Sequence, residues 1–414
     1  MQMNSMQMNS RYVFGFSDVI YLGLNCSRIT YIMSSYDLCE ELIVEILSRL
    51  PTKSLLRFRS VSKSLCACIG SPDFIRLHAL RSPNKVMIIH QVYFYGATIF
   101  TDMYTLHSGG QLSNDPYVGV TAVEYPFTSN RIVGSCNGVL CLHEYGKGII
   151  LWNPSIRRKV TVHDRPLLSD WGGQLHPFGF AFDPIIKDYK IVMTTKCDTK
   201  KGLVLRTFVY RTKKDAWHQI ASPTRDLLSC RESYQCLFNG TLHWVIKRFL
   251  TGSHDDCHSP YILAFNPSSE IFSTIELPEP SWETEEVTII NGSLAVISSK
   301  HDDSWIWVRN NTTASWSVAF KLKAHEFEGT HRVFQLTANS DLLFNPCGII
   351  VYNPETRERL SLVRLSASSL VGVTGSTRGL LIYPCIESLG LLDMGTSCDQ
   401  GRRNKKRSRA YWLL

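Results

Sequence analysis

The spacing of hydrophobic residues divides the chain into two parts. Between residues 37 and 80, apolar side chains recur at steps of three and four, a period that predicts amphipathic helices. From residue 85 onward the period changes to two, and short runs of aromatic and β-branched residues alternate with Gly, Pro and Asn. The pattern predicts an α+β multidomain protein, with a small helical module followed by a long all-β region.

The helical module is predicted to contain four short helices. The first begins near Leu38 and is stopped by Pro51, and the third ends at Gly70. Ser71 is placed to cap a fourth helix whose first residue is Pro72. Such short helices bury little surface on their own. We therefore expect an apolar edge, which either covers the next domain or binds a partner.

Two signatures recur along the β region. One is an Asn-Gly pair before a hydrophobic strand, which supplies the positive φ angles of a two-residue hairpin, at Asn137-Gly138, Asn239-Gly240 and Asn291-Gly292. The other is an aromatic strand that ends in a turn, and its markers are Leu106, Asn153, Tyr210, Asn266, Val308 and Asn353. Successive markers lie 42 to 57 residues apart. This period predicts a kelch-like β-propeller of about six blades, closed by a strand within residues 371–385.

Composition and charge narrow the class of protein. Hydrophobic residues make up 44% and charged residues 19%, which is typical of a folded protein and excludes a collagen-like or coiled-coil chain. The net charge is +8, but six of these charges lie between Arg402 and Arg409, so the rest of the chain is nearly neutral. We expect no nucleic-acid partner and, since no run of about 20 uncharged apolar residues occurs, no membrane partner.

The two ends of the chain differ from its body. Residues 1–33 begin with a tandem duplication, MQMNSMQMNS, and are expected to be a disordered leader, with Met33 as a candidate start. Residues 395–414 are expected to form a disordered basic tail. Its basic run is a candidate nuclear-import signal, although contact with an anionic surface and a merely solvated tail remain alternatives. The run consists of Arg402, Arg403, Lys405, Lys406 and Arg407.

The thirteen cysteines show no C-x-x-C spacing, so we expect reduced thiols and a cytoplasmic or nuclear protein. Three other groups of residues could carry chemistry. Gly134 to Gly138 fits either a Cys nucleophile elbow or an Asn-Gly hairpin with Cys136 in the core. His254 to His258 fits either a metal site or a polar loop. Four glutamates around Trp282 fit either a solvated acidic loop or a partner contact, and they are Glu279, Glu283, Glu285 and Glu286. We assign no residues to a catalytic, cofactor-binding or metal site from the sequence.

The helical module resembles the plant F-box over "LCEELIVEILSRLPTKSLLRFRSVSKSLCACIGSPDFIRLH", within a domain expected at residues 34–81. Two departures occur: Cys39 stands where the family usually has Pro, and Leu65 where it usually has a large aromatic residue. The resemblance implies that the module binds a Skp-family adaptor, and through it a cullin scaffold. The residues that it assigns to this contact, or to its support, are Leu38, Leu42, Ile46, Leu50, Pro51, Leu55, Leu56 and Val61.

The β region, expected at residues 85–390, resembles the type 1 F-box-associated interaction domain of plants. The matching stretches include "RIVGSCNGVLCL", "LWNPSIRRKV", "FGFAFDPIIKDYKIV" and "AFNPSSEIFSTIELP". Together the two resemblances imply a non-catalytic substrate receptor of a Skp–cullin–F-box ubiquitin ligase. A scaffold with a decayed F-box and a propeller hydrolase are the alternatives. Loops between blades are expected to face the target protein, with Trp171, His254 and Trp282 as candidate contacts.

Overall fold

A computed structural model describes two bodies of different architecture. The described residues are 39–82, 84–94, 100–108, 121–123, 131–144, 148–162, 177–199, 202–223, 230–232, 235–248, 260–279, 283–300, 303–323, 333–335, 342–344, 349–353, 356, 359–362 and 375–392. The chain divides into two compact units between Leu77 and His78. The expected leader and basic tail lie outside the described residues.

The four predicted helices are confirmed. They are α1 (Glu40–Leu47), α2 (Thr52–Phe58), α3 (Lys63–Gly70) and α4 (Pro72–Arg81). The helix α1 ends three residues earlier than the pattern suggested. Residues 48–50 form a turn in which Leu50 N–H donates to the Leu47 carbonyl, because a residue before proline disfavours the helical conformation.

Serine hydroxyls begin the last two helices. The Ser71 hydroxyl accepts the Phe74 N–H at 3.2 Å, as its place before Pro72 predicts, and the Ser62 hydroxyl accepts the Leu65 N–H at 3.1 Å. Buried side chains from all four helices form the core of the module, and they are Leu47, Leu55, Phe58, Ile69 and Phe74. No helix in the described part of the chain is long and apolar enough to cross a membrane.

The described strands form six antiparallel sheets, which we call blades 1 to 6. Blade 1 contains β1 (Asn84–Phe94), β2 (Phe100–Ser108), β3 (Thr121–Val123) and β25 (Gly375–Ile386). Blade 2 contains β4 (Arg131–Cys136), β5 (Val139–Glu144), β6 (Gly148–Asn153) and β7 (Arg158–Val162). Blade 3 contains β8 (Phe178–Asp183), β9 (Asp188–Thr199), β10 (Gly202–Arg211) and β11 (Ala216–Ile220).

Blade 4 is the five-stranded sheet, because both β12 and β13 pair with β14. Its strands are β12 (Cys230–Glu232), β13 (Cys236–Phe238), β14 (Thr241–Arg248), β15 (Tyr261–Asn266) and β16 (Ile271–Glu276). Blade 5 contains β17 (Glu283–Ile290), β18 (Ser293–Lys300), β19 (Asp303–Arg309) and β20 (Trp316–Lys323). Blade 6 contains β21 (Val333–Gln335), β22 (Leu342–Phe344), β23 (Ile349–Tyr352) and β24 (Arg359–Leu362).

The blades form a propeller in which the first strands of neighbouring blades lie side by side. Thus β25 lies beside β4, β4 beside β8, and β17 beside β21. All six sequence markers fall in or directly after the third strand of a blade, so the repeat and the number of blades are confirmed.

The last strand closes the propeller, as predicted. In blade 1, β25 pairs with β1 from Asn84 opposite Ile386 to Phe94 opposite Gly375. This pairing brings residues separated by some three-quarters of the chain into one sheet, so neither β1 nor β25 is left as a lone terminal strand.

The three predicted Asn-Gly hairpins are confirmed. In each, both turn residues have positive φ, for example 50° at Asn137 and 70° at Gly138. Each hairpin joins the first described strand pair of a blade: β4 to β5, β13 to β14, and β17 to β18. The interior lies between blades, since one buried cluster combines Val139 and Leu151 of blade 2 with Phe180 and Ile191 of blade 3.

Candidate docking surfaces

The residues predicted to bind an adaptor divide between the core and the surface of the helical module. Leu42 and Val61 are 49% and 38% exposed, and Pro51 is also exposed. Leu55 is fully buried, so it belongs to the core of the module beneath this surface. The half-buried positions are Ile46, Leu50 and Leu56, while Leu38 lies outside the described residues. We call the exposed and half-buried set the helical surface.

The helical surface has the composition of a protein interface. Its side chains are aliphatic, and Leu42 and Ile46 lie one helical turn apart on α1. An ion pair of 2.5 Å joins Glu45 of the same helix to Arg49 in the turn that follows it. An aliphatic centre with charged residues beside it is typical of a docking site whose binding energy comes from a few buried anchors.

The two residues that depart from the family pattern, Cys39 and Leu65, lie in different structural environments. Cys39 precedes α1 with φ −63° and ψ 152°, a backbone conformation that proline also adopts. The replacement of Pro by Cys at this position therefore keeps the path of the chain into the helix. Leu65 is half-buried on α3, where it supplies a smaller apolar surface than an aromatic ring would.

The propeller presents a set of turns with a shared design. In an antiparallel blade, the turns between strands one and two and between strands three and four lie at the same edge. Many of these turns begin with Asn or Asp, whose side-chain oxygen accepts a backbone N–H two residues later. Such bonds run from Ser155 to Asn153, from Ile185 to Asp183 and from Ser268 to Asn266, each at 2.9 Å.

A partly buried charged cluster joins blades 3 and 4 just below these turns. Glu270 accepts hydrogen bonds from Lys190 and Arg211, both at 2.8 Å, and lies 2.6 Å from His218. Lys190 also forms an ion pair of 2.9 Å with Asp183. Burial acts to raise the pKa of Glu270, but the hydrogen bonds from His218, Lys190 and Arg211 outweigh it and lower the pKa to about 2. The Lys190 ammonium also donates to the Pro267 carbonyl at 2.6 Å, so the cluster links strands of blade 3 to a turn of blade 4.

The sequence pattern did not show this cluster, because its members come from four separate strands and a turn. Only the turns have a local sequence signal, which is the Asn-Pro or Asp-Pro pair that recurs after aromatic strands. A second contact between blades 3 and 4 is likewise not encoded in a local sequence pattern. The side-chain amide of Gln235 pairs with both backbone groups of Phe180, at 2.6 and 3.0 Å.

One candidate chemical site, at Cys136, has a structural explanation, whereas the candidate metal site His254 to His258 lies outside the described residues. Cys136 ends β4 in a strand-hairpin-strand, not the strand-turn-helix that a nucleophile elbow requires, and its side chain is buried. Burial raises the pKa of Cys136 to about 12, so its thiol remains protonated and unreactive. Among the residues that the structure describes, no three His, Cys, Asp or Glu side chains group to hold a metal ion.

The predicted acidic loop needs a correction. Residues 283–286 belong to strand β17, and Glu286 is buried there, so these glutamates do not form one solvated loop. Strand β17 pairs with β18 along this length, so blade 5 continues into the acidic segment. Trp171, His254 and Trp282, proposed as target contacts, lie outside the described residues, and so do Arg402, Arg403, Lys405, Lys406 and Arg407.

Comparison with known families agrees with both sequence resemblances. The model of the F-box domain matches residues 36–77, and the model of the F-box associated beta propeller domain matches residues 101–358. The second match alone covers more than half of the chain.

Two curated proteins of Arabidopsis thaliana are similar over most of their length. The F-box/kelch-repeat protein At3g23880 is 26% identical over 315 residues, which cover 69% of this chain and 79% of the relative. The F-box protein CPR1 is 25% identical over 322 residues, which cover 68% and 72%. Among solved structures, TolB from Acinetobacter baumannii covers 79% of this chain and 73% of its own, with 10% identity and a TM-score of 0.42.

Proposed function

We propose that this chain, which belongs to the F-box proteins with an F-box associated β-propeller domain, is the substrate-recognition subunit of a Skp–cullin–F-box ubiquitin ligase. In this role, the helical surface binds a Skp-type adaptor and the propeller binds a target protein. The chain itself performs no bond chemistry. It raises the concentration of the target near the ubiquitin carrier, and proteasomal degradation of the target follows.

The observation that carries this proposal is the exposure of aliphatic residues within the F-box match. Leu42 and Val61 remain in contact with solvent although five other apolar side chains of the helical module are buried. A short helical module that leaves such residues exposed loses hydrophobic stabilisation, and a bound adaptor would recover it. The two bodies suit different partners. Helices offer a fixed apolar edge to a constant adaptor, whereas propeller turns can vary without disturbing the strands.

The alternative of a scaffold with a decayed F-box has one specific observation in its favour. Leu65 offers less apolar surface than the aromatic residue that the family usually has, and this would weaken adaptor binding. The conformation of Cys39 argues the other way, because it keeps the backbone that a proline would impose.

Copurification of the full chain with a plant Skp adaptor separates the two functions. The ubiquitin-ligase role predicts a stoichiometric complex that survives gel filtration, and it predicts that replacing Leu50 and Pro51 together by alanine releases the adaptor. Circular dichroism of this variant should retain the β signal of the propeller. A wild-type chain that elutes without adaptor would support the scaffold.

A further inference from the structure

Two isoleucines stand exposed on a turn of blade 3. The turn of residues 184–187 joins β8 to β9, and in it Ile185 is 77% and Ile186 42% exposed. The neighbouring turn of the same blade, residues 212–215, joins β10 to β11. We call these two turns together the turn patch. Adjacent exposed isoleucines are unfavourable in water, and on a folded protein they often mark a contact surface.

Hydrogen bonds join the two turns of the turn patch to each other, to their flanking acids and to blade 4. The Asp183 carboxylate accepts the Ile185 N–H at 2.9 Å and the Ser268 hydroxyl of blade 4 at 2.8 Å. The Lys213 ammonium donates to the Ile186 carbonyl at 3.1 Å, and the Lys213 N–H donates to Asp188 at 3.1 Å. A partner that binds here would therefore pay little entropy for ordering the turns.

The charge of the turn patch is positive. Lys187, Lys213 and Lys214 are exposed on its two turns, against a single exposed acid, Asp215. Asp215 accepts a hydrogen bond of 2.5 Å from the Tyr210 hydroxyl. The flanking acids Asp183 and Asp188 are buried and accept hydrogen bonds beneath the turns. The outward face thus combines an apolar centre with a basic surround.

We propose that the turn patch docks an acidic, extended segment of a target protein, which places an aliphatic or aromatic side chain against Ile185 and Ile186. This inference rests on the proposed role of the propeller as a substrate receptor. Three lysines attract carboxylates and steer the encounter, while the isoleucines supply apolar burial. The patch lacks the aromatic platforms on which nucleic-acid bases stack, and two isoleucines bury too little to hold a membrane.

A peptide array tests the proposal directly. The full-length chain is applied to peptides of about 12 residues in which acidic content and apolar content vary independently. We expect retention to require both glutamates or aspartates and at least one leucine, isoleucine or phenylalanine. Retention should fall at least tenfold when the salt concentration rises from about 50 to about 500 mM, since screening weakens the charge attraction.

Variants of the turn patch, with a matched control, test whether the peptides bind at this surface. Replacing Ile185 and Ile186 together by serine should reduce retention at least tenfold, and replacing Lys213 and Lys214 by glutamate should shift the preference to basic peptides. Val318→Ser is the control, because Val318 is an exposed apolar residue on the outer strand of blade 5. It should bind peptides as the wild type does.

Three results would overturn the proposal: no peptide retained, equal retention by the double serine variant, or preference for neutral peptides. The proposal is also overturned if phosphatidylserine vesicles or single-stranded RNA bind in place of peptides and the same variants abolish that binding. Adaptor copurification, measured on the same preparations, distinguishes a failure of the turn-patch proposal from a failure of the proposed ligase role. Loss of peptide binding with adaptor bound contradicts the turn patch alone, while peptide binding without adaptor contradicts the ligase role.

Discussion

Asn153 donates a hydrogen bond of 2.8 Å from its side-chain amide to the carbonyl oxygen of Gly390, 237 residues later in the chain. The same amide donates to the Ser388 carbonyl at 2.9 Å, and the Asn153 side chain is completely buried. The segment that follows the closing strand β25 is therefore fastened to blade 2. It extends the closure of the propeller beyond the strand pairing of blade 1.

Replacing Asn153 by alanine should destabilise the propeller by about 3 kcal/mol, because two buried carbonyl oxygens lose their donor. Urea unfolding followed by tryptophan fluorescence measures the change. Asn310→Ala is the matched control. Asn310 also accepts backbone N–H groups in its own turn, from Thr312 at 2.8 Å and Thr313 at 3.0 Å, but it is exposed. An equal loss in both variants would show that the contact with Gly390 contributes nothing special.

Deleting Gly379–Tyr383 from β25 should abolish the cooperative unfolding of the propeller. These residues pair with the middle of β1, so their loss opens blade 1 and disconnects the segment that Asn153 binds. Calorimetry of the full chain and of a chain ended after Leu392 should give one sharp transition for each. A sharp transition in the deletion variant would mean that the propeller does not depend on its closing strand.

The turn between β19 and β20 of blade 5 carries backbone strain at Ala314. Ala314 has φ 58° and is exposed, in a region that favours glycine. Ala314→Gly should therefore stabilise the propeller by about 1 kcal/mol. The control is a Gly-to-Ala change at a different turn. Gly240 has φ 74° and no atom within 4 Å of the position that a Cβ would occupy, so a new methyl group there would meet no neighbour. Gly240→Ala should cost about 1 kcal/mol through backbone strain alone, and thermal melting curves report both changes.

The stability of the propeller should fall as the pH decreases below about 6.5, with a contribution from His243. Burial lowers the pKa of His243 to about 4, against backbone hydrogen bonds with Cys236 and Thr241 that act to raise it. The unfolded chain takes up a proton near the ordinary pKa of 6.5, whereas the folded chain resists until about 4. This stability is therefore present above pH 6.5 and is lost across that window.

Comparison with His243→Gln isolates the contribution of this residue. Between about pH 7.5 and pH 4, the unfolding free energy of the wild type should fall by up to about 3 kcal/mol more than that of the variant. Urea titrations at a series of pH values measure the difference. Parallel pH profiles would show that His243 titrates alike in the folded and unfolded chain.

Most of the architecture follows from local patterns in the sequence. The Asn-Gly pairs specify hairpins through the conformational preferences of two adjacent residues, as at Asn137 and Gly138. The aromatic strand recurs as the third strand of each described blade, so its period along the chain predicts the repeat. Pro51 and Ser71 likewise set helix boundaries through short-range chemistry.

The remaining features depend on contacts that a local pattern does not encode. Leu55 and Leu42 look equivalent in the helical period, yet one is buried and the other is half exposed, because tertiary packing decides which face turns inward. The charge around Glu286 predicts a loop, but strand β17 extends through this residue and places it opposite Ile297 of β18. Ile185 and Ile186 are apolar residues that no local pattern places at the surface, and the turn between β8 and β9 exposes them.

The adaptor-binding role of the helical surface is open to direct measurement by isothermal titration of a purified Skp-type adaptor into the full-length chain. The wild type should bind, and the double replacement of Leu42 and Val61 by glutamate should weaken binding at least about 100-fold, because charges would enter an apolar contact. Leu80→Glu is the control, since Leu80 is 75% exposed on α4 but lies outside the F-box match. It should bind as the wild type does. Equal affinity for the wild type and the double variant, or no binding by the wild type, would contradict the assignment of the helical surface as the adaptor site.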